Sequence, residues 1–210
     1  MNVLQNLSAW WIHTTANRYK EHGSTFFYRN ENEKALRLLN QALQLNPTMT
    51  EAYNVRGRAR YRLGDYTGAI ADYTLVLSTE KHSAEVFLNR ALAYYSNGDL
   101  DDALGDLNVA IFLDSHMASA FNIRGMVDEM QGNLSGAIAD YTQAIRLNPR
   151  IDMAYTNRGS ARANRGDLRG AIADYQIYLE LGGGKRHGDQ SRVETQIATL
   201  RGKIEQPTAG

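Results

Sequence analysis

One interval governs this chain: residues of the same kind return every 34 positions. Tyr53, Phe87, Phe121 and Tyr155 are spaced this way, as are Gly64, Gly98, Gly132 and Gly166, then Ala69, Ala103, Ala137 and Ala171, then Asp72, Asp106, Asp140 and Asp174. No insertion breaks the register. Carried backwards, the frame meets Tyr19, Gly23, Ala35, Leu39, Ala42 and Pro47, a more divergent first copy. The expectation is five units: 16–49, 50–83, 84–117, 118–151 and 152–185. A unit of this size cannot bury an apolar face alone and has to stack on its neighbours, so the period points to a repeat array before any element is assigned.

Inside a unit, apolar and small residues recur at three- and four-residue intervals on two segments, for example Tyr53, Gly57, Ala59 and Tyr61, then Ala69, Ile70, Tyr73 and Leu77. Each segment predicts an amphipathic helix of about a dozen residues. Between them stands Gly-Asp or Gly-Asn, where Gly64 can take the left-handed conformation that ends one helix and Asp65 can cap the next. Pro47 and Pro149 fall just beyond second helices, where proline stops the helix. The predicted fold is all-α, an α-solenoid of five helix-turn-helix repeats.

The flanks are expected to differ. Residues 1–15 predict an N-terminal helical extension. The last unit has Tyr178 where Ala42, Val76, Ala110 and Ala144 stand in the others. After Gly182, Gly183 and Gly184, expected to act as a flexible hinge, Val193, Ile197, Leu200 and Ile204 fall at helical spacing. Residues 186–205 are therefore expected to be a capping helix with its apolar face on the open end, and residues 206–210 a disordered tail.

The stretch AYNVRGRARYRLGDYTGAIADYTLVL resembles a tetratricopeptide repeat. It has an aromatic near the start, Gly at the eighth place, Gly-Asp at the turn, Ala at the twentieth place and an aromatic at the twenty-fourth. The wording around Arg-Gly and Ala-Asp-Tyr is similar to bacterial, especially cyanobacterial, members. Two departures stand out. In the first unit Asn30, Glu31 and Asn32 replace the Gly-Asp-aromatic turn, so this hairpin is expected to be longer or less ordered. In the four later units the usual Leu at the seventh place is Arg56, Arg90, Arg124 and Arg158, while the twenty-third place is Asp72, Asp106, Asp140 and Asp174, which predicts that each Asp pairs with the Arg of its own or the next repeat.

The resemblance implies that first helices line a concave groove and that the second, fifth, sixth, ninth, twelfth and thirteenth places face it. Repeats one and two would contribute aromatics with basic groups: Lys20, Tyr28, Asn54, Arg58, Tyr61 and Arg62. Repeat three would offer Leu88, Asn89, Leu92 and Tyr95. Repeat four would offer Asn122, Met126 and Met130, and repeat five Asn157. Such a wall suits an extended or helical peptide segment of a partner protein, with apolar anchors against Leu, Met and Tyr and its backbone against Asn amides. The carboxylate clamp with which related co-chaperones grip the acidic C-terminal tails of heat-shock proteins is matched in no frame: starting at repeat two gives Asn54, Arg58, Asn89, Ser119 and Ile123.

Other function classes lose ground on composition. Lys plus Arg equals Asp plus Glu at 23 each, so no net field attracts polyanions and nucleic acid is not an expected partner. No cysteine is present, which removes thiolate metal sites and Cys nucleophiles and suits a cytoplasmic, reducing compartment. His13, His22, His82, His116 and His187 have no metal-ligand spacing, and the Gly182–Lys185 run lacks the preceding strand and following Ser or Thr of a phosphate loop. Neither catalytic residues, metal nor cofactor are expected. The apolar stretch around Leu7 to Ile12 follows no Lys or Arg and precedes no small-residue cleavage pattern, so it is not expected to be a signal peptide; no window approaches the roughly 20 apolar residues of a membrane span. The expectation is therefore a non-catalytic scaffold or adaptor, monomeric or weakly homo-oligomeric. The alternative is a self-associating repeat protein that uses its end faces or the Trp10–Trp11 segment.

Overall fold

The structure, a computed structural model, describes residues 3–205, with side chains from Trp10 onward; the tail 206–210 lies outside them. The described residues form helices and no strand, and they fall into two compact units that meet in sequence at Leu113 and Asp114. The first unit holds α1 (Val3–Tyr28), α2 (Asn32–Leu45), α3 (Thr50–Arg62), α4 (Tyr66–Thr79), α5 (Ala84–Asn97) and α6 (Leu100–Leu113). The second holds α7 (Ala118–Met130), α8 (Leu134–Leu147), α9 (Asp152–Asn164), α10 (Leu168–Glu180), α11 (Gly183–His187) and α12 (Gln190–Glu205).

Consecutive helices pair as hairpins, and each hairpin stacks on the next within its unit through α2 on α3, α4 on α5 and α8 on α9. Each unit is thus a length of α-solenoid. In the first, Phe27, Leu39, Leu43 and Val55 form one buried cluster, and Tyr73, Val76, Leu77 and Val86 another. In the second, Ile138 and Tyr141 pack with Ala137 and Ala161, and Tyr175 and Tyr178 pack with Val193, Ile197 and Leu200. Burying a side chain of this size stabilises by about 1.5–3 kcal/mol, so these seams hold the hairpins together.

The turns are closed alike. Gly64, with φ +83°, ends α3, and the amide of Asp65 donates to the Arg60 carbonyl at 2.9 Å. Equivalent bonds run from Asp99 to Tyr94, Asn133 to Asp128 and Asp167 to Arg162, at 2.8–2.9 Å. Asp65, Asn133 and Asp167 then cap the following helices by accepting from Gly68, Gly136 and Gly170. The first turn is no longer than these. Asn30 adopts φ +62° in place of the glycine, and Glu31 donates to the Phe26 carbonyl at 2.9 Å. Asparagine is among the few residues whose short polar side chain tolerates that conformation.

The arginines and aspartates do pair, within their own hairpin. Arg56 Nε and Nη2 donate to Asp72 at 2.9 and 2.7 Å; Arg90 holds Asp106, Arg124 holds Asp140 and Arg158 holds Asp174 with the same two-pronged geometry at 2.7–2.9 Å. The remaining Nη1 reaches back to the preceding hairpin: Arg56 to Asn40 at 2.8 Å, Arg90 to Thr74 at 3.0 Å and Arg158 to Thr142 at 3.1 Å. One guanidinium therefore fastens three helices.

The glycines expected to form a hinge are built into packing instead. A Cβ on Gly183 would stand 2.2 Å from the Tyr178 ring, and one on Gly184 2.9 Å from Gln190 Cα. They let α11 turn tightly against α10, after which α12 lays Val193, Ile197 and Leu200 on α10. Tyr178, fully buried, donates its hydroxyl to Asp189 at 2.6 Å.

Candidate peptide-binding face

The first helices of successive hairpins also touch one another: α1 meets α3 and α3 meets α5 in the first unit, and α7 meets α9 in the second. Side chains one helical turn apart share a face, so the residues that join these helices have their neighbours three or four places on along the same face of each helix.

In the first unit the C-terminal turn of α1, with α3 and α5, encloses a pocket of about 130 Å³ lined by Phe27, Arg58, Tyr61, Arg62, Tyr73, Asn89 and Leu92. A cavity of about 150 Å³ suffices for one benzene ring, so this recess fits a single side chain and not a metabolite. Phe27 is fully buried beneath Arg58 and Arg62, whose guanidinium carbons stand 4.8 and 4.1 Å from its ring centre. Tyr61 shares a hydrogen bond of 3.1 Å with Ser96. Burial pushes the Tyr73 hydroxyl well above the ordinary tyrosine range, so it stays a neutral donor at the base of the pocket.

Five of the expected groove residues thus surround one recess: Arg58, Tyr61, Arg62, Asn89 and Leu92. Leu88 and Tyr95 are half-buried on α5. Asn54 is half-buried on α3 with its Oδ1 sequestered and unpartnered, as is Nδ2 of Asn89. Lys20 is taken by Glu51 at 2.6 Å, and Tyr28, 72% exposed, projects from the end of α1 with its ring against the edge of Phe27.

In the second unit Asn157 donates to Asn122 at 3.3 Å, and Asn122, only 9% exposed, leans on the Met126 sulfur. These amides serve the α7–α9 contact. Met126 packs on the Tyr141 cluster, whereas Met130 is 59% exposed. Glu129 accepts from Tyr141 at 3.0 Å and from Ser160 at 3.4 Å. A second recess, about 220 Å³, opens between α9, α10 and α12, lined by Ser160, Ala163, Asn164, Tyr175, Thr195, Gln196, Thr199 and Leu200. The contribution of Thr195, Gln196 and Thr199 was invisible in the repeat frame, because α12 stands outside it. Among the described residues no cluster of His, Asp or Glu is arranged to hold a metal ion, and no helix is long and apolar enough to cross a membrane.

The family model described as tetratricopeptide repeat matches residues 20–81 and 124–185, more than half of the chain. No curated protein matches the sequence. Among solved structures, MamA from Desulfovibrio magneticus superposes with a TM-score of 0.73 at 20% identity, over 81% of this chain and 96% of that one. Pseudomonas aeruginosa PilF gives 0.72 at 17% identity, over 90% and 92%. YrrB, described as a TPR protein with an unusual peptide-binding site, gives 0.63 at 20% identity, over 78% and 84%. At these identities the likeness is one of fold.

Proposed function

This chain belongs to the tetratricopeptide repeat family, whose members generally act as non-catalytic protein-interaction scaffolds, and we propose on that footing that it holds a peptide segment of a partner protein against its first helices. The observation that carries this reading is the side-chain-sized recess between α1, α3 and α5, where Leu92, Tyr61 and two arginines surround an unfilled volume of about 130 Å³. An apolar anchor of the segment enters it, and neighbouring polar groups meet the backbone. Leu88 and the exposed Met130 add apolar surface on their own helices. The lack of cysteine suits action in a reducing cytoplasm.

The test is capture of a partner by the wild-type chain beside Leu92→Glu and Met130→Glu variants shown by circular dichroism to be folded. A partner lost on Leu92→Glu supports the recess; equal capture by all three moves the site elsewhere.

A second reading, self-association through the N-terminal half of α1, draws on Trp10 and Trp11, which are 65% and 60% exposed on successive positions. Light scattering over a concentration series separates the two, because only self-association makes the mass rise with concentration and fall back in a Trp10→Ser, Trp11→Ser variant.

A further inference from the structure

Helix α3 carries arginines at alternate positions, and their partners divide them. Arg56 and Arg60 both grip Asp72, at 2.7 and 2.9 Å, and Arg60 also meets Asp65 at 3.4 Å. Among the described residues Arg58 and Arg62 have no carboxylate within ion-pairing distance. They are nonetheless held in place. Both lie over the Phe27 ring, and Arg62 donates to the Phe27 carbonyl at 3.2 Å.

A guanidinium stacked on a ring keeps its edge donors free and oriented, which is the arrangement that receives a planar, two-oxygen acceptor. Asn89, which also lines the recess from α5, adds the unpartnered donor Nδ2. Of the acids in the adjoining first turns, Glu51 is bound by Lys20, and Glu85 is exposed and pairs with neither arginine. The recess is thus lined by the apolar Phe27 and Leu92 beside the neutral Tyr73, and carries two guanidiniums with no carboxylate in ion-pairing distance among the described residues.

We propose that Arg58 and Arg62 receive the carboxylate of an Asp or Glu side chain of the bound segment while an apolar side chain of the same segment fills the recess. This deepens the groove-binding reading above and rests on it. In an extended segment, side chains on one face are two residues apart, about 6.6–6.8 Å. Both guanidiniums stand within 5 Å of the Phe27 ring that lines the recess. The expected signature is an apolar residue, any residue, then an acid, in either chain direction.

The probe is a displayed library of random twelve-residue peptides, selected in parallel on the full chain and on an Arg58→Gln, Arg62→Gln variant. Glutamine keeps an aliphatic stem over Phe27 and removes the charge; the exposed single change Arg62→Gln serves if the double variant melts early. The wild-type pool is expected to be enriched in Asp or Glu two places from Leu, Phe or Met, and the variant pool to keep the apolar residue but not the acid. Changing that acid to its amide should weaken a selected peptide about ten-fold or more on wild type and leave its binding to the variant unchanged. A wild-type pool with apolar enrichment alone, or an acid preference that survives in the variant, overturns the assignment but leaves groove binding standing. A library retained by neither protein overturns the groove reading and this one with it.

Discussion

Arg90 holds Asp106 with two parallel donors, Nε to Oδ2 at 2.7 Å and Nη2 to Oδ1 at 2.8 Å, and reaches Thr74 of the preceding hairpin with its third nitrogen at 3.0 Å. The hydrogen bond to Asp106 makes the Arg90 proton harder to remove than usual. Because the Asp106 side chain is only 9% exposed, removing its partner strands a charge away from water. Arg90→Leu is expected to cost about 3 kcal/mol, seen as an earlier denaturation midpoint by circular dichroism. Arg90→Lys should fall between the two, since it keeps the charge and loses the fork. An unchanged midpoint for the leucine variant would show the pair to be idle.

The turn at Asn30 gives a milder test. Its φ of +62° suits glycine and is tolerated by asparagine. Asn30→Gly should leave the melting temperature nearly unchanged, while Asn30→Val should cost about 1–2 kcal/mol. Equal stabilities for the two variants would mean that the turn relaxes to another conformation.

Gly57 lies under Tyr73, where a Cβ would stand 2.8 Å from the ring, and the same juxtaposition recurs at Gly125 with Tyr141 and Gly159 with Tyr175. At the equivalent places of repeat three the chain has Ala91 and Leu107 instead. Gly57→Ala is therefore expected to destabilise by about 1–3 kcal/mol through overpacking, less what alanine returns in helix propensity. In a Tyr73→Leu background the same change should cost distinctly less. A double-mutant cycle with no coupling would refute this account.

Asp189 accepts the Tyr178 hydroxyl and pairs with Arg192, which together hold its carboxyl below the usual carboxylate range. Burial, with the bond to Asp189, pushes the Tyr178 hydroxyl far above the ordinary range, so it remains a donor. A carboxyl whose folded-state value is depressed stabilises fully above the unfolded value and loses that contribution as pH falls through the folded one. Asp189→Asn should thus cost about 1.5 kcal/mol or more at pH 7, and its melting temperature should converge on that of wild type as pH falls below the ordinary carboxylate range and through the depressed folded value. A gap that does not narrow as pH falls would contradict this.

The hairpins were legible because the period is unbroken and their turns carry the residues that turn geometry demands. Asn30 escaped because a left-handed asparagine looks, in sequence, like an ordinary loop residue. The Arg–Asp pairing was visible as residue types, but a 34-residue period brings the aspartates of an arginine's own hairpin and of the preceding one into equal candidacy; only the packing selects the one sixteen positions on. Nothing marked Asn40, Thr74 and Thr142 as the other end of that link, since polar residues there resemble a solvated helix face. For the inner wall, helix and face could be inferred, but not which side chains neighbours already engage. Lys20 meets a glutamate 31 residues away, and Asn122 an asparagine 35 away. The glycines 182–184 suggested mobility by composition alone, whereas Gly182 takes φ +77° and a Cβ would meet the Tyr178 ring at Gly183 and Gln190 at Gly184.

The arginine fork also bears on how such a chain lengthens. Arg56, Arg90 and Arg158 each use an aspartate sixteen residues ahead in their own hairpin and an asparagine or threonine sixteen residues behind in the previous one. A hairpin duplicated in tandem arrives carrying its own fastening and offering the next copy an acceptor. Tyr178 breaks that rule, because its ring and hydroxyl are committed to α11, Asp189 and α12. Such a duplicate is fastened in the same way within a unit, whereas Tyr178 closes the second unit after its last hairpin.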